Sequence, residues 1–180
     1  RYPDYKANRE TPPDDLSVQR PWVDRLVEAH GFPILRVPGY EADDVIGTLA
    51  TKAAKKGFEV VIVSADKDFV QLLGPSVRMF DPLAGAGGAA GLMYDVERAV
   101  KKWGVQPEKF VDLLALTGDK IDNIPGVPGI GKKGAAELLE TYGDLEGILA
   151  HVHELKGRQK SALEAHAEDA RISRELATID

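Results

Sequence analysis

Apolar positions recur with helical spacing along much of the chain and run without a break in one place. Leu16, Val23, Leu26 and Val27 trace one face of a helix that enters after Thr11–Asp15 and ends near Gly31, with Pro21 kinking or delaying it. Ile34–Val37 reads as a short buried strand. Pro38 and Gly39 then break the chain, and Val45, Ile46, Leu49 and Ala53 give the buried stripe of a second helix, stopped by Gly57. Phe58–Ser64 is the unbroken apolar run. It is β-branched, and its continuity predicts burial on both faces of a parallel sheet. Val77–Phe80 and Leu92–Tyr94 predict two short strands around a glycine- and alanine-rich hairpin tip, PLAGAGGAAG. Asp95 caps a helix that runs through Trp103 to Gly104, and Pro107 starts another that turns Phe110, Leu113, Leu114 and Leu116 inward. A helix opened by Lys132 follows, then helical segments near Asp144–His151, Gly157–His166 and Glu168–Ile179. This order predicts an α/β layer followed by a helical region.

Composition adds limits rather than direction. The 180 residues suit one domain or one with an appendage, and 43% hydrophobic with 29% charged is ordinary for a globular chain. No run approaches the roughly 20 apolar residues of a membrane helix. The lack of cysteine excludes disulfides and thiolate metal sites and, with no signal peptide, fits a cytoplasmic protein. The start at Arg1 reads as the middle of a longer protein. A net charge of −6 argues against nucleic acid until the distribution of acids is considered.

Those acids gather at element ends. Glu41, Asp43 and Asp44 open the second helix, a density that capping alone does not explain. Asp66 and Asp68 follow the apolar strand directly, at the carboxyl edge where α/β sheets collect ligands. Asp119 and Asp122 follow the Phe110 helix. Without these seven the remaining formal charge is +1. All-oxygen donors suit Mg²⁺ or Mn²⁺, and seven acids suit two ions on the order of 4 Å apart, which could clamp a phosphodiester and activate water. His151, His153 and His166 read as surface residues.

The turn Gly126–Gly131, GVPGIG, leads into Lys132 and Lys133. Its backbone N–H groups at a helix start, with two cations beside them, form a candidate site for a phosphate backbone. Tyr2, Tyr5, Lys6 and Arg9 interleave rings and cations as a single-strand contact would, though from these residues alone an exposed terminal segment is the simpler reading. Carboxylates for metal beside a sequence-independent phosphate grip point to a nuclease that reads DNA structure.

YKANR, EADD, SADKD and TGDKIDNIPGVPGIGKKGA, in that order, resemble the 5′–3′ exonuclease (flap endonuclease) domain of bacterial DNA polymerase I over essentially the whole chain. The resemblance implies a PIN-like, resolvase-like α/β nuclease core over residues 1–105. A helical subdomain with a DNA-binding helix–three-turn–helix would follow over 106–180. It implies that Glu41, Asp43, Asp44 and Asp66 serve one metal ion and that Asp68, Asp119 and Asp122 serve mainly the other. Lys6 and Arg9 match helical-arch cations acting on the 5′ strand, with Asp43, Asp44 and Asp66 beside them at the catalytic centre. Gly129, Ile130, Gly131, Lys132, Lys133 and Gly134 match the duplex clamp. The backbone carbonyls of Leu116, Thr117, Pro125, Val127 and Ile130 match its K⁺ site. The implied partner is DNA with a 5′ flap or a 5′ end next to duplex. The family's two early Asp-bearing strands have no counterpart here, so the chain is expected to be N-terminally truncated, with an exposed sheet edge. A missing N-terminal segment or a polymerase domain is a further implied partner. The alternatives are a catalytically incomplete DNA-binding fragment and a metal-dependent phosphatase or RNase, the last disfavoured by the duplex clamp.

Overall fold

In the computed structural model, which describes residues 2–9, 11–85 and 91–180, the apolar strand run becomes β1 (Val60–Val63). It pairs in parallel with β2 (Val77–Asp81), Val60 opposite Val77, and β2 pairs antiparallel with β3 (Leu92–Tyr94), Met79 opposite Tyr94. The sheet is therefore mixed, in the order β1–β2–β3, with a hairpin joining its last two strands. The tip of that hairpin falls at residues 86–90, outside the described residues.

Helices α1 (Asp14–Ala29) and α2 (Ala42–Lys55) precede the sheet. Asp95 accepts from the Arg98 N–H to start α3 (Val96–Trp103), and left-handed Gly104 ends it. A single 3₁₀ turn, Pro107–Lys109, leads into α4 (Phe110–Thr117). The last helices are α5 (Lys132–Tyr142), α6 (Leu145–Ala150), α7 (Gly157–Ala165) and α8 (Ala167–Ala177).

The core is continuous from sheet to helices. Tyr94 of β3 meets Trp103 of α3 with ring centroids 5.3 Å apart, and Trp103 meets Phe110 of α4 edge-on at 5.6 Å. Each such ring contributes a few kcal/mol by leaving water. Helix α4 is buried along its length and packs on α8. There Arg174 Nε donates to the buried carboxylate of Asp112 at 2.6 Å. This fixes the helix that leads to Asp119.

Three expectations are corrected. Ile34–Val37 forms no strand, and Leu35 and Val37 are exposed; with prolines at 33 and 38 and no neighbouring strand among the described residues, its backbone has nothing there to pair with. Strand β1 is covered on one face only: Ile62 is buried, but Val61 and Val63 are open, Val63 at 66%. Among the described residues β1 is an edge strand. Helix α2 buries Gly47 and Ala50 rather than Leu49, because the Gly47 backbone lies so near Ile179 that a β-carbon there would stand 2.6 Å from its Cγ2. Leu49 instead lines an apolar groove with Leu35, Val37, Tyr40 and Val45. Helix α1 has the expected span, with Pro21 inside it, yet it buries no residue.

Candidate metal centre and nucleic-acid interface

The end of β1 turns into a 3₁₀ segment, Lys67–Leu72, because Asp66 Oδ1 accepts from the Asp68 N–H at 3.0 Å. That local bond sets three charged residues on one turn. Phe69 and Val70, fully buried behind it, anchor the turn to the core.

Opposite stands the loop after α4. Asp119 and Ile124 exchange backbone hydrogen bonds at 2.9 and 2.7 Å, closing a small loop that carries both acids. Asp119 Oδ1 also accepts from the Ile121 N–H at 2.9 Å. Gly118 and Gly126, both at positive φ, let the two arms of this loop lie in backbone contact. Val127 N–H closes it onto the Leu116 carbonyl, and the buried Ser173 hydroxyl accepts from the Gly126 N–H.

These turns bring Asp68, Asp119 and Asp122 together, with one oxygen of each within 4.8 Å of the others. Asp119 and Asp122 are buried, at 8% and 7% exposure. Lys67 Nζ donates to Asp119 Oδ2 at 2.5 Å, and Arg9 donates to Asp122 Oδ1 at 2.6 Å. Asp68 Oδ1 is buried without a hydrogen-bond partner, with Lys67 Nζ 3.9 Å away. Burial first, then the charge of Asp66, pushes the Asp68 carboxyl up to about 7. Burial pulls the Lys67 ammonium down, but its hydrogen bond to Asp119 and the surrounding carboxylates together push it up. A cleft of about 320 Å³ opens onto the cluster, lined by Arg9, Asp66, Lys67, Asp68, Asp119 and Asp122.

The acids of α2 are placed differently. Glu41 and Asp44 form a reciprocal capping box at the helix start. Asp44 also accepts from the Asp180 N–H, and Glu41 accepts from Lys6 Nζ at 2.5 Å. Asp43 is left facing the strand end, where burial and the nearby Asp66 charge raise its carboxyl. The Asp66 charge thus acts on both Asp43 and Asp68. Among the described residues only Asp68, Asp119 and Asp122 form a group at ligating distance.

The segment Tyr2–Arg9 is not a loose terminus. Lys6 N–H donates to the Asp122 carbonyl, Asn8 Nδ2 to the Lys120 carbonyl, and Asn123 Nδ2 to the Asp4 carbonyl. Lys6 also lies 4.7 Å from the centroid of the Tyr5 ring. Lys6 lies in a turn and Arg9 directly after it, neither on a helix; α1 begins after them.

On the other side of the acidic loop, GVPGIG runs open into α5. A β-carbon at Gly129 or Gly131 would meet nothing within 4 Å, and the Gly131 cap has no side-chain partner. Lys133 is 93% exposed. Lys132 is tied to the Lys102 carbonyl at the end of α3, and Ile130 is buried, offering only backbone. Gly134 lies close to Gln159 of α7. A groove of about 650 Å³ runs from Pro128 and Gly129 to the start of α7, walled by Arg158 and Lys160. Of the carbonyls named for K⁺, those of Leu116 and Val127 already accept backbone N–H groups, from Val127 and Ile130.

Sequence reasoning missed Lys67, Asn8, Asn123 and Ser173. Lys67 alone carried a signal, a cation between two acids in ADKD. No helix is long and apolar enough to cross a membrane among the described residues.

Comparison with known proteins gives this geometry its context. Solved structures of the bacteriophage T5 5′-exonuclease with zinc align at a TM-score of 0.78 and 26% identity, covering 97% of this chain and 67% of that one. The T5 flap endonuclease in a complex with DNA and metal ions aligns at 0.77 and 26% identity, over 99% and 67%. The 5′–3′ exonuclease of Aquifex aeolicus is 42% identical over 99% of this chain and 58% of its own length. The thermostable DNA polymerase I of Thermus filiformis is 44% identical, but this chain spans only 21% of it. The Rhizobium leguminosarum DNA polymerase I is 42% identical, with 17% spanned. Residues 1–104 match the 5′–3′ exonuclease N-terminal resolvase-like domain and residues 105–180 the 5′–3′ exonuclease C-terminal SAM fold. With both halves matched and the acidic cluster at their junction, the chain belongs to the 5′–3′ exonuclease family.

Proposed function

We propose that this chain is a divalent-metal-dependent 5′–3′ exonuclease and flap endonuclease that hydrolyses DNA phosphodiester bonds in replication and repair. The observation that carries the reading is the cluster of Asp68, Asp119 and Asp122 at ligating distance, with Asp68 Oδ1 buried and without a hydrogen-bond partner. Three carboxylates there outnumber the two cations that pair with them, Lys67 and Arg9, and all-oxygen donors fit Mg²⁺ or Mn²⁺.

Asp68, Asp119 and Asp122 would hold one ion, and Asp43 with Asp66, joined by Glu41 and Asp44, the other. Bound ions would supply charge neutralisation at the scissile phosphate and an activated water. The chain's own residues supply the rest. Arg9 and Lys6 stand at the rim of the cluster, where they would orient the 5′ strand's phosphates, with the Tyr5 ring beside them to stack on a base. The open Gly129–Gly134 turn, with Lys133, would take the duplex backbone without reading sequence. K⁺ shared by the carbonyls of Leu116, Thr117, Pro125, Val127 and Ile130 would add positive charge there.

We assign residues 1–105 to the nuclease core and 106–180 to the helical DNA-binding part. The setting is the cytoplasm, within or beside a DNA polymerase I. The capping role of Glu41 and Asp44 favours one second reading, a DNA-binding fragment with an incomplete catalytic centre.

Incubation of the chain with a 5′-labelled flap duplex and Mn²⁺, with and without chelator, tests the proposal. Metal-dependent release of short 5′ products supports it. Salt-sensitive duplex binding without cleavage would establish the second reading instead.

A further inference from the structure

Two cations pair with the acidic cluster, and they are not equivalent. Arg9 reaches Asp122 from a terminal segment, with its guanidinium half-exposed. Lys67 is built into the same turn as Asp66 and Asp68, and its Nζ sits 2.5 Å from Asp119 Oδ2 and 3.9 Å from Asp68 Oδ1. Its ammonium therefore lies between two of the three carboxylates that would hold an ion. An ammonium and a divalent cation on the same carboxylates repel each other at close range.

We propose that Lys67 is a resident counter-cation that competes with the divalent ion for Asp119. It holds the cluster together in the metal-free protein and must give up Asp119 when metal enters. The inference rests on the metal-site reading above and adds the exchange to it.

The energetics support exchange rather than permanent pairing. Without Lys67, the charges of Asp68, Asp119 and Asp122 repel at close range in a partly buried site, and the metal-free fold loses stability. With Lys67, metal binding must first break a charge-assisted hydrogen bond, and the displaced ammonium stays nearby. Both effects lower metal affinity in the native chain. A role that is merely structural predicts the opposite, since a damaged site binds metal less well.

The test is Mn²⁺ binding at pH 8, read by the spin-resonance signal of free Mn²⁺, in the native chain, Lys67→Gln and Lys67→Arg. Thermal unfolding with chelator checks the fold of each. The expected result is Mn²⁺ binding tighter by on the order of tenfold in Lys67→Gln, a lower melting temperature for that variant without metal, and near-native affinity in Lys67→Arg. Unchanged or weaker binding in Lys67→Gln overturns the proposal. Absence of Mn²⁺ binding in all three proteins overturns the metal reading and this inference with it.

Discussion

Gly126 packs on Gly118 so closely that a β-carbon at position 126 would lie 2.2 Å from the Gly118 nitrogen. Both residues have positive φ, 63° and 70°, so no L side chain suits either place. This contact joins the acidic loop to the start of the candidate duplex-binding turn. The two candidate functions therefore share one backbone joint.

Gly126→Ala should accordingly destabilise the fold by about 3 kcal/mol, from backbone strain and a contact that cannot relax. Denaturant unfolding measures the loss. Divalent-ion binding and duplex binding should weaken together, because Asp119 and Gly129 stand on either side of the joint.

Asp68 links stability to pH in the metal-free protein. Its carboxyl is raised in the folded state to about 7 from an ordinary 3.8. The folded state thus holds the proton more tightly than the unfolded one, and the stability this gives is present below about 4 and lost as pH rises through about 7. Asp68→Asn stays neutral throughout. With chelator present, its advantage over the native chain should be near zero at pH 4, grow up to pH 7, and level off above at a few kcal/mol. An advantage that does not change with pH would contradict the placement of Asp68.

Arg174→Met removes the partner of a buried carboxylate. Asp112 would keep its place between α4 and α8 with no cation, at a cost of about 3 kcal/mol. Replacing both residues, Asp112→Leu with Arg174→Met, should recover much of the loss. Urea midpoints of the two variants check this.

Lys133 is almost fully solvent-exposed, so Lys133→Gln should leave stability within about 0.5 kcal/mol of the native value. If Lys133 meets a phosphate, the slope of log affinity against log salt for duplex DNA should fall by about 1. Equal slopes would exclude Lys133 from the interface.

How far the sequence anticipates all this depends on the range of the interactions concerned. Asp95 and Gly104 act within one turn, and they bound α3 where the sequence places them. The apolar span of α4 and the glycine turn before α5 were legible for the same reason. Ile34–Val37 was misread because a strand is a property of two segments, and this one has no partner among the described residues. Burial of β1 on both faces was misread similarly, since an apolar run reports what could be covered and not what covers it. At the site, acids at element ends were visible as candidates, whereas their partners were not. Arg9 with Asp122 and Lys67 with Asp119 join positions 113 and 52 residues apart. Glu41 and Asp44 show the reverse, a local contact: they pair across one turn as the capping box of α2.

The central claim is that acids from separate elements make one metal-dependent phosphodiesterase centre. Its most direct test is the cleavage rate of a 5′-flap duplex in Mn²⁺ by the native chain and by Asp119→Asn, which preserves size and removes one charge. The native chain should cleave and the variant should be slower by at least about a hundredfold, with duplex binding retained. Cleavage that survives in Asp119→Asn at the native rate would contradict the claim.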